Sequence, residues 1–275
     1  MSVISIINQK GGVGKTTSVA NIGAALAKMG FKTLLIDLDP QAHLSISFDR
    51  MPAPGDPAIY SVLGGVHTLE DVAQPTGVEN LWIAPTNLDL VGAETEFSAE
   101  IGREFLLRDA LTKMDGGSMR PDVVLLDCPP SLGLLSLNAL VASSGVVIPV
   151  QAEFFALQGL AQLEEVIQRV QRRLNPQLDL LGVLVGMFTK QRNLSQEVLQ
   201  ELHNYFGDRV FERLVRVNVR LAEAPSHGLT IFQYAPKSGA AEDFAALGEE
   251  FAKRLGLHPN KESEAAEPNS DELSI

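Results

Sequence analysis

Cysteine is almost missing from this chain, with Cys128 standing alone. A single thiol closes no intramolecular disulfide and holds no metal or iron–sulfur cluster within one chain, so a disulfide scaffold is excluded and a reducing compartment, the cytoplasm, is expected. Long apolar runs are missing as well. No stretch approaches the roughly 18 residues of a bilayer span, and the opening MSVISIINQK has no basic region ahead of its short apolar one, so neither membrane insertion nor secretion is expected. Basic charge is scarce. The 22 Lys and Arg against 34 Asp and Glu leave a net charge of −12, the wrong sign for a chain that simply coats nucleic acid.

What is present is ordinary for a folded protein. The 275 residues are 45% hydrophobic and 20% charged, proportions that fit neither a disordered, a collagen-like nor a membrane-embedded chain. Charge is unevenly spread, however. Residues 259–275 (PNKESEAAEPNSDELSI) hold one basic and five acidic side chains in a polar tail that reads as disordered. Between Val166 and Arg220 the balance reverses, nine Lys and Arg against five Asp and Glu. A solvated helix face and an anion-binding surface both account for that local excess.

Short β-branched runs alternate with longer helical ones. Strands are expected at 3–8, 33–39, 80–85, 122–127, 145–150 and 180–188, and helices at 17–30, 100–114, 157–174, 195–206 and 240–255. Gly30 closes the first helix and MDGGSM (114–119) forms an exit loop. Continuous apolar runs such as DVVLLD and GVVIPV are buried on both faces of a parallel sheet. The expectation is an α/β fold, a doubly wound, mostly parallel sheet flanked by helices, with residues 1–258 forming one domain. Ligands of such sheets bind beyond the carboxyl ends of the strands. That places the chemistry just after Asn8, Asp37 and Asp127.

Between the first strand and the first helix lies QKGGVGKTT (9–17), whose glycines let backbone N–H groups converge on an anion at a helix N-terminus. In such a loop Lys15 reaches the β- and γ-phosphates and the Thr16 hydroxyl ligates Mg²⁺. The usual G-x-x-x-x-G-K-[ST] pattern is broken by Gln9 at its first glycine, and an additional lysine, Lys10, precedes the glycines. LLIDLDPQ (34–41) and VVLLDCPPS (123–131) end two further strands in Asp37, Asp39 and Asp127. One such carboxylate can hold the Mg²⁺ shell and another can position an attacking water.

Together these segments resemble the ParA/MinD family of deviant Walker ATPases, P-loop NTPases whose chromosomal, Soj-type ParA branch is the nearest likeness. SLGLLSLNALVASSGVVIPVQAEFFALQGLAQL (131–163) and NVRLAEAPSHGLTIFQYAPKSGAAEDF (218–244) look like further blocks of that branch, and the likeness extends over residues 2–256. It implies ATP and Mg²⁺ as cofactors and an ATP-dependent sandwich homodimer, in which Lys10 of one subunit reaches the phosphates held by the other and Gly11 lets the two loops approach. It implies nucleotide contacts from Lys10, Gly11, Gly12, Val13, Gly14, Lys15, Thr16, Thr17 and Asn218. Asp39 is implied to position the hydrolytic water, with Asp37 as a Mg²⁺ or switch residue and Asp127 in the outer Mg²⁺ shell. No Asn-Lys-x-Asp guanine motif follows any strand, which favours ATP over GTP. The base site is implied at Met187–Phe188 and around Asn218, where this chain has Arg216-Val217 in place of the family's Pro-Arg pair. A second departure puts Ala42-His43 where Gly-Asn is usual.

The same resemblance implies non-specific double-stranded DNA as a partner, bound by Lys190, Arg192 and Arg220, with Gln191 standing at a family arginine position. It implies a ParB-like activating protein, nucleoid association, and the segregation of a chromosome or plasmid. No helix-turn-helix or zinc pattern suggests sequence-specific reading. The alternatives are a ParA-like ATPase that positions a protein cargo and a MinD-like membrane switch. The second is disfavoured because residues 262–275 are acidic and broken by Pro268, the opposite of a basic amphipathic membrane helix. An iron-protein-like reductase is excluded, since a cluster bridging two subunits needs two cysteines from each. His43 and His227 are expected to make loop hydrogen bonds, and Phe154 and Phe155 to pack.

Overall fold

The computed structural model describes residues 1–114, 117, 119–153 and 156–258. The acidic tail, half of the 114–119 exit loop, and Phe154 and Phe155 therefore lie outside the described residues. Seven strands form one sheet: β1 (Ser2–Ile6), β2 (Thr33–Asp37), β3 (Gln74–Pro75), β4 (Leu81–Ala84), β5 (Val123–Asp127), β6 (Gly145–Gln151) and β7 (Asp179–Gly186). Their order is β3-β4-β2-β5-β1-β6-β7, parallel throughout except for β3 against β4. Six of the seven follow the expected runs. The seventh, β3, is two residues long and contains Pro75, which lacks a ladder N–H and is tolerated at a sheet edge.

The strands read as continuous apolar runs, yet their side chains divide by parity between two cores. Leu34 and Ile36 join Leu107, Leu111, Ala139 and Leu163 on one face of the sheet. Leu35, Ile4 and Ile6 meet Ile22, Leu26, Phe244 and Phe251 on the other. The second face is covered by the helices Lys15–Lys28 and Gly239–Arg254, and close approach there relies on small residues. A Cβ on Gly248 would stand 2.5 Å from the Ala25 Cβ, and one on Gly23 would stand 2.6 Å from Leu35 Cδ2. The first face carries Leu106–Met114, Leu134–Ala142, Ala156–Arg173 and Asn193–Phe206.

Three differences from the sequence-based elements have clear local causes. The first helix begins at Lys15 rather than at 17, because Gly14 (φ 89°) turns the chain directly into its first turn. The expected helix 100–114 becomes a 3₁₀ turn, Arg103–Phe105, followed by Leu106–Met114, after Gly102 adopts φ 76°. Leu134–Ala142 was not expected as a helix. Its LLSLNALVA is apolar nearly all round and shows no stripe, and its two polar residues are buried and satisfied, Ser136 donating to Ser131 O and Asn138 bonding Arg103 O, Leu134 O and Leu107 N.

The fold also divides the basic stretch of 166–220. Arg169, Arg172 and Arg173 close the helix that precedes β7, and Arg209 pairs with Asp179 at the start of that strand. Lys190, Arg192, Arg216 and Arg220 follow its end. Eight residues of strand, about 26 Å, separate the two groups.

Candidate functional site

Asp37 and Asp127 end neighbouring parallel strands and stand in register, with Ile6 of β1 opposite Asp127 on its other side. Immediately above them the chain leaving β1 is pinned by Asn8, whose Nδ2 donates to Pro149 O (2.8 Å) while its Oδ1 accepts from Lys10 N (2.9 Å). Gly12 (φ 76°) and Gly14 (φ 89°) take left-handed conformations that L side chains rarely adopt. A Cβ placed on Gly11, Gly12 or Gly14 would meet nothing within 4 Å, so the loop opens on free space. No acidic residue occupies the first turn of the Lys15–Lys28 helix, which leaves its positive end available to an anion. Lys15 is buried and folds back over the loop, its Nζ 3.5 Å from Lys10 O. Lys10 projects outward, half exposed, and pairs with Glu153 just beyond β6.

Burial pushes the Asp37 carboxyl up to about 7, although it accepts from Ser45 Oγ (2.7 Å), Ser45 N (2.8 Å) and Asp39 N (3.1 Å). Asp127 is completely buried, and neither of its carboxylate oxygens has a hydrogen-bond partner. Burial, followed by the charge of Asp37, holds it well above the ordinary carboxylate range, with Thr16 and Lys15 pulling the other way. Two buried carboxylates on one rung, one of them orphaned, call for a cation. The oxygen donors of Thr16, Asp37 and Asp127 suit a hard divalent ion. Among the described residues no cluster of three His, Cys, Asp or Glu would cage a metal unaided. That fits an ion which keeps water and substrate oxygens in its shell.

Asp39 lies just past β2, nearly buried, with Oδ1 accepting from Gln41 N (3.0 Å). The turn it begins passes through Ala42 at φ 56°, a left-handed conformation that disfavours any residue with a Cβ. His43 then opens a short helix, His43–Ser47, and its carbonyl accepts from Ser47 Oγ, so it is not the loop residue expected. His227 also departs from that expectation, stacking on Tyr234 with ring centroids 5.1 Å apart.

A cavity of about 310 Å³ adjoins the phosphate loop, walled by Val13, Thr17, Pro149, Met187, Asn218 and Phe244. Thr17 and Asn218, both expected at a nucleotide, thus share one hollow, and Asn218 Oδ1 caps Arg220 N (3.0 Å). Arg216 lines the same hollow, but its guanidinium binds Asp243, Glu242 and Gly239 O. The segments 188–192 and 216–220 leave the sheet side by side, joined by Phe188 N to Val215 O (3.0 Å) and Val217 N to Phe188 O (3.3 Å). Lys190 and Arg192 are exposed and make no ion pair among the described residues. Arg220 is exposed too, but pairs with Glu223 (3.2 Å) and lies 5.9 Å from the Tyr234 ring centroid.

The structure therefore gathers Lys10, the glycines, Lys15, Thr16, Thr17, Asp37, Asp39, Asp127 and Asn218 around one end of the sheet. Ser45, Glu153 and Asp243 were not singled out from sequence, and Asn8 marked the end of the first strand there without its bonds to Pro149 O and Lys10 N. For Glu153 there was no signal, because its partner lies 143 residues away.

A family model described as an AAA domain matches residues 1–180. The sporulation initiation inhibitor protein Soj of Bacillus subtilis (strain 168) is 44% identical over 250 residues, which is 91% of this chain and 98% of that protein. The chromosome partitioning protein ParA of Myxococcus xanthus (strain DK1622) is 43% identical over 256 residues, 92% of this chain and 88% of its own length. Among solved structures, the cobyrinic acid a,c-diamide synthase of Mycobacterium smegmatis with bound ATP analog and magnesium has a TM-score of 0.80. It is 34% identical and covers 93% of this chain and 95% of its own. No helix among the described residues is long and apolar enough to cross a membrane.

Proposed function

The chain belongs to the ParA/Soj family of partitioning ATPases, and from that premise we propose that residues 1–258 form an ATP-driven switch that binds DNA without sequence preference and moves a partner-bound chromosome or plasmid. The observation that carries the catalytic half is the orphaned Asp127 carboxylate, opposite Asp37 and beneath a phosphate loop that opens on free space. Thr16, Asp37 and Asp127 would hold Mg²⁺, which when bound neutralises charge on the phosphate oxygens. Backbone N–H groups of the loop and Lys15 bind and orient the triphosphate, and the hollow beside Asn218 takes the base. Asp39, at the mouth of the site, orients the attacking water for in-line displacement.

Lys10 acts on the nucleotide of a second copy. Its pairing with Glu153 is half exposed on both sides, and such pairs contribute only about 0–1 kcal/mol, so little resists its transfer to phosphate oxygens across a dimer. Dimerisation doubles the surface formed by Lys190, Arg192 and Arg220, which a net-acidic protein needs in order to hold a polyanion. A ParB-like protein with a basic activating segment suits the acidic remainder.

The test is binding of random-sequence duplex DNA with ATP, ADP or no nucleotide over a salt series, with Arg220→Ala as control. The expected result is ATP-dependent, salt-sensitive binding that the control weakens. Dimerisation by ATP with no DNA binding would instead assign the chain to positioning a protein cargo.

A further inference from the structure

The wall of the hollow beside the phosphate loop is a thin one. Residues 213–217 separate the cavity of about 310 Å³ from a second hollow of about 610 Å³, lined by Phe188, Lys190, Gln191, Arg213, Leu214 and Asp243, and Arg216 and Val217 face both. Val215 is seated in one core and Leu214 packs against the other, but Arg216 and Val217 have space on either side, so their position depends on ties at the segment's edges. One edge is held by the end of β7, through Val215 N to Val185 O (3.0 Å) and Phe188 N to Val215 O (3.0 Å). The other edge is held from the Gly239–Arg254 helix, where Glu250 accepts from Glu212 N (3.0 Å) and Arg213 N (3.1 Å), and Asp243 takes the backbone N–H nearest the cavity, that of Arg216.

Asp243 is the fifth residue of the Gly239–Arg254 helix, just past its first turn, and is 1% exposed. It accepts from Arg216 N (3.0 Å), Arg216 Nε (2.9 Å), Arg216 NH2 (2.8 Å) and Arg213 NH2 (2.6 Å). A buried carboxylate is tolerated where charged donors saturate it, and here two guanidinium groups and one backbone N–H do so. The arrangement is built closely, because a Cβ on Gly239 would stand 2.9 Å from the Arg216 guanidinium. The next residue, Phe244, lines the cavity itself. One turn of helix thus supplies both a wall of the hollow and the tie that sets the facing wall, at the place where Arg216-Val217 replaces the family's Pro-Arg pair.

We propose that Asp243 is a positioning residue for the nucleotide base: by clamping Arg216 and Arg213 it fixes the 215–218 wall, and through it the fit of the base, without touching the phosphates. This rests on the reading of the hollow as the base site. It separates base binding from phosphate binding, and a merely structural role would not. In Asp243→Asn the affinity for ATP falls, by roughly tenfold for a lost charge-assisted pairing, and the loss falls on KM rather than kcat. Inhibition by inorganic triphosphate, which has no base, stays as in the parent.

Because Asp243→Asn weakens a buried pair and can lower stability, Arg216→Gln serves as the second variant. It removes one fork while Arg213 still partners Asp243, so a smaller shift of the same kind is expected. The readouts are ATP and triphosphate affinities by calorimetry, alongside thermal unfolding of each protein. Parallel losses of ATP and triphosphate, or no change in either, would overturn the role of Asp243. A parent protein that binds triphosphate no more weakly than ATP would show that the hollow holds no base, and would fail the site reading instead.

Discussion

A carboxyl group pushed up to about 7 makes the site sensitive to pH. Asp37 is raised to about 7 from 3.8, chiefly by burial, so between those values the folded protein holds a proton that the unfolded chain has released. That contribution to stability is complete below about 4 and is lost as pH rises through about 7; Asp127, raised in the same direction, adds to it. The midpoint of thermal unfolding of cation-free protein is therefore expected to fall between about pH 6 and pH 8, with Asp37→Asn flattening the slope. Mg²⁺ with nucleotide should oppose the fall by supplying the missing positive charge. A midpoint that rises over this range in cation-free buffer would contradict the assignment. Asp39 calls for a different measurement. Asp39→Ala is expected to lower single-turnover hydrolysis by on the order of 10²-fold or more while ATP binding holds, and parental turnover would remove Asp39 from the water-positioning role.

At the scale of elements, the site depends on how firmly the Lys15–Lys28 helix is seated, since its first turn is part of the phosphate loop. That seat is the contact with Gly239–Arg254, where Gly248 meets Ala25. Gly248→Ala would gain up to about 1 kcal/mol of helix propensity. Against this, a Cβ 2.5 Å from the Ala25 Cβ forces the helices apart, and overpacking of this kind costs about 1–3 kcal/mol. A net loss of stability in denaturant titration is expected, and an unchanged midpoint would mean that the helices separate freely. The elements differ in how far the sequence disclosed them. The strands and the long helices were legible because their apolar runs and stripes are local patterns. Leu134–Ala142 was not, because a helix buried nearly all round has no stripe to show.

For the whole molecule the decisive property is where charge lies. A basic excess that reads as one stretch is two groups at opposite ends of β7, and only the group around Lys190, Arg192 and Arg220 shares an end of the sheet with the nucleotide site. Lys190→Ala and Arg192→Ala should each reduce the slope of log K against log salt by about 1 for each phosphate that is no longer neutralised. Arg172→Ala, at the other end, should leave the slope unchanged. Fluorescence anisotropy of a labelled duplex measures both, and an equal effect of Arg172→Ala would mean that DNA does not select the nucleotide-proximal end.

The phosphate loop, the three strand-end aspartates and the alternation that builds the sheet are all written in the linear chain. They rest on local physics: a glycine that permits positive φ, a helix that starts where the loop ends, and a strand whose last residue faces the ligand. Folding was needed to establish that Lys10 meets Glu153, that Asn8 is pinned on Pro149, that Asp37 and Asp127 stand on one rung, and that Asp243 holds the wall of the hollow. Strand order and helix docking bring those partners together across as many as 143 residues, and no short-range pattern encodes a pairing whose two halves are so far apart in the chain.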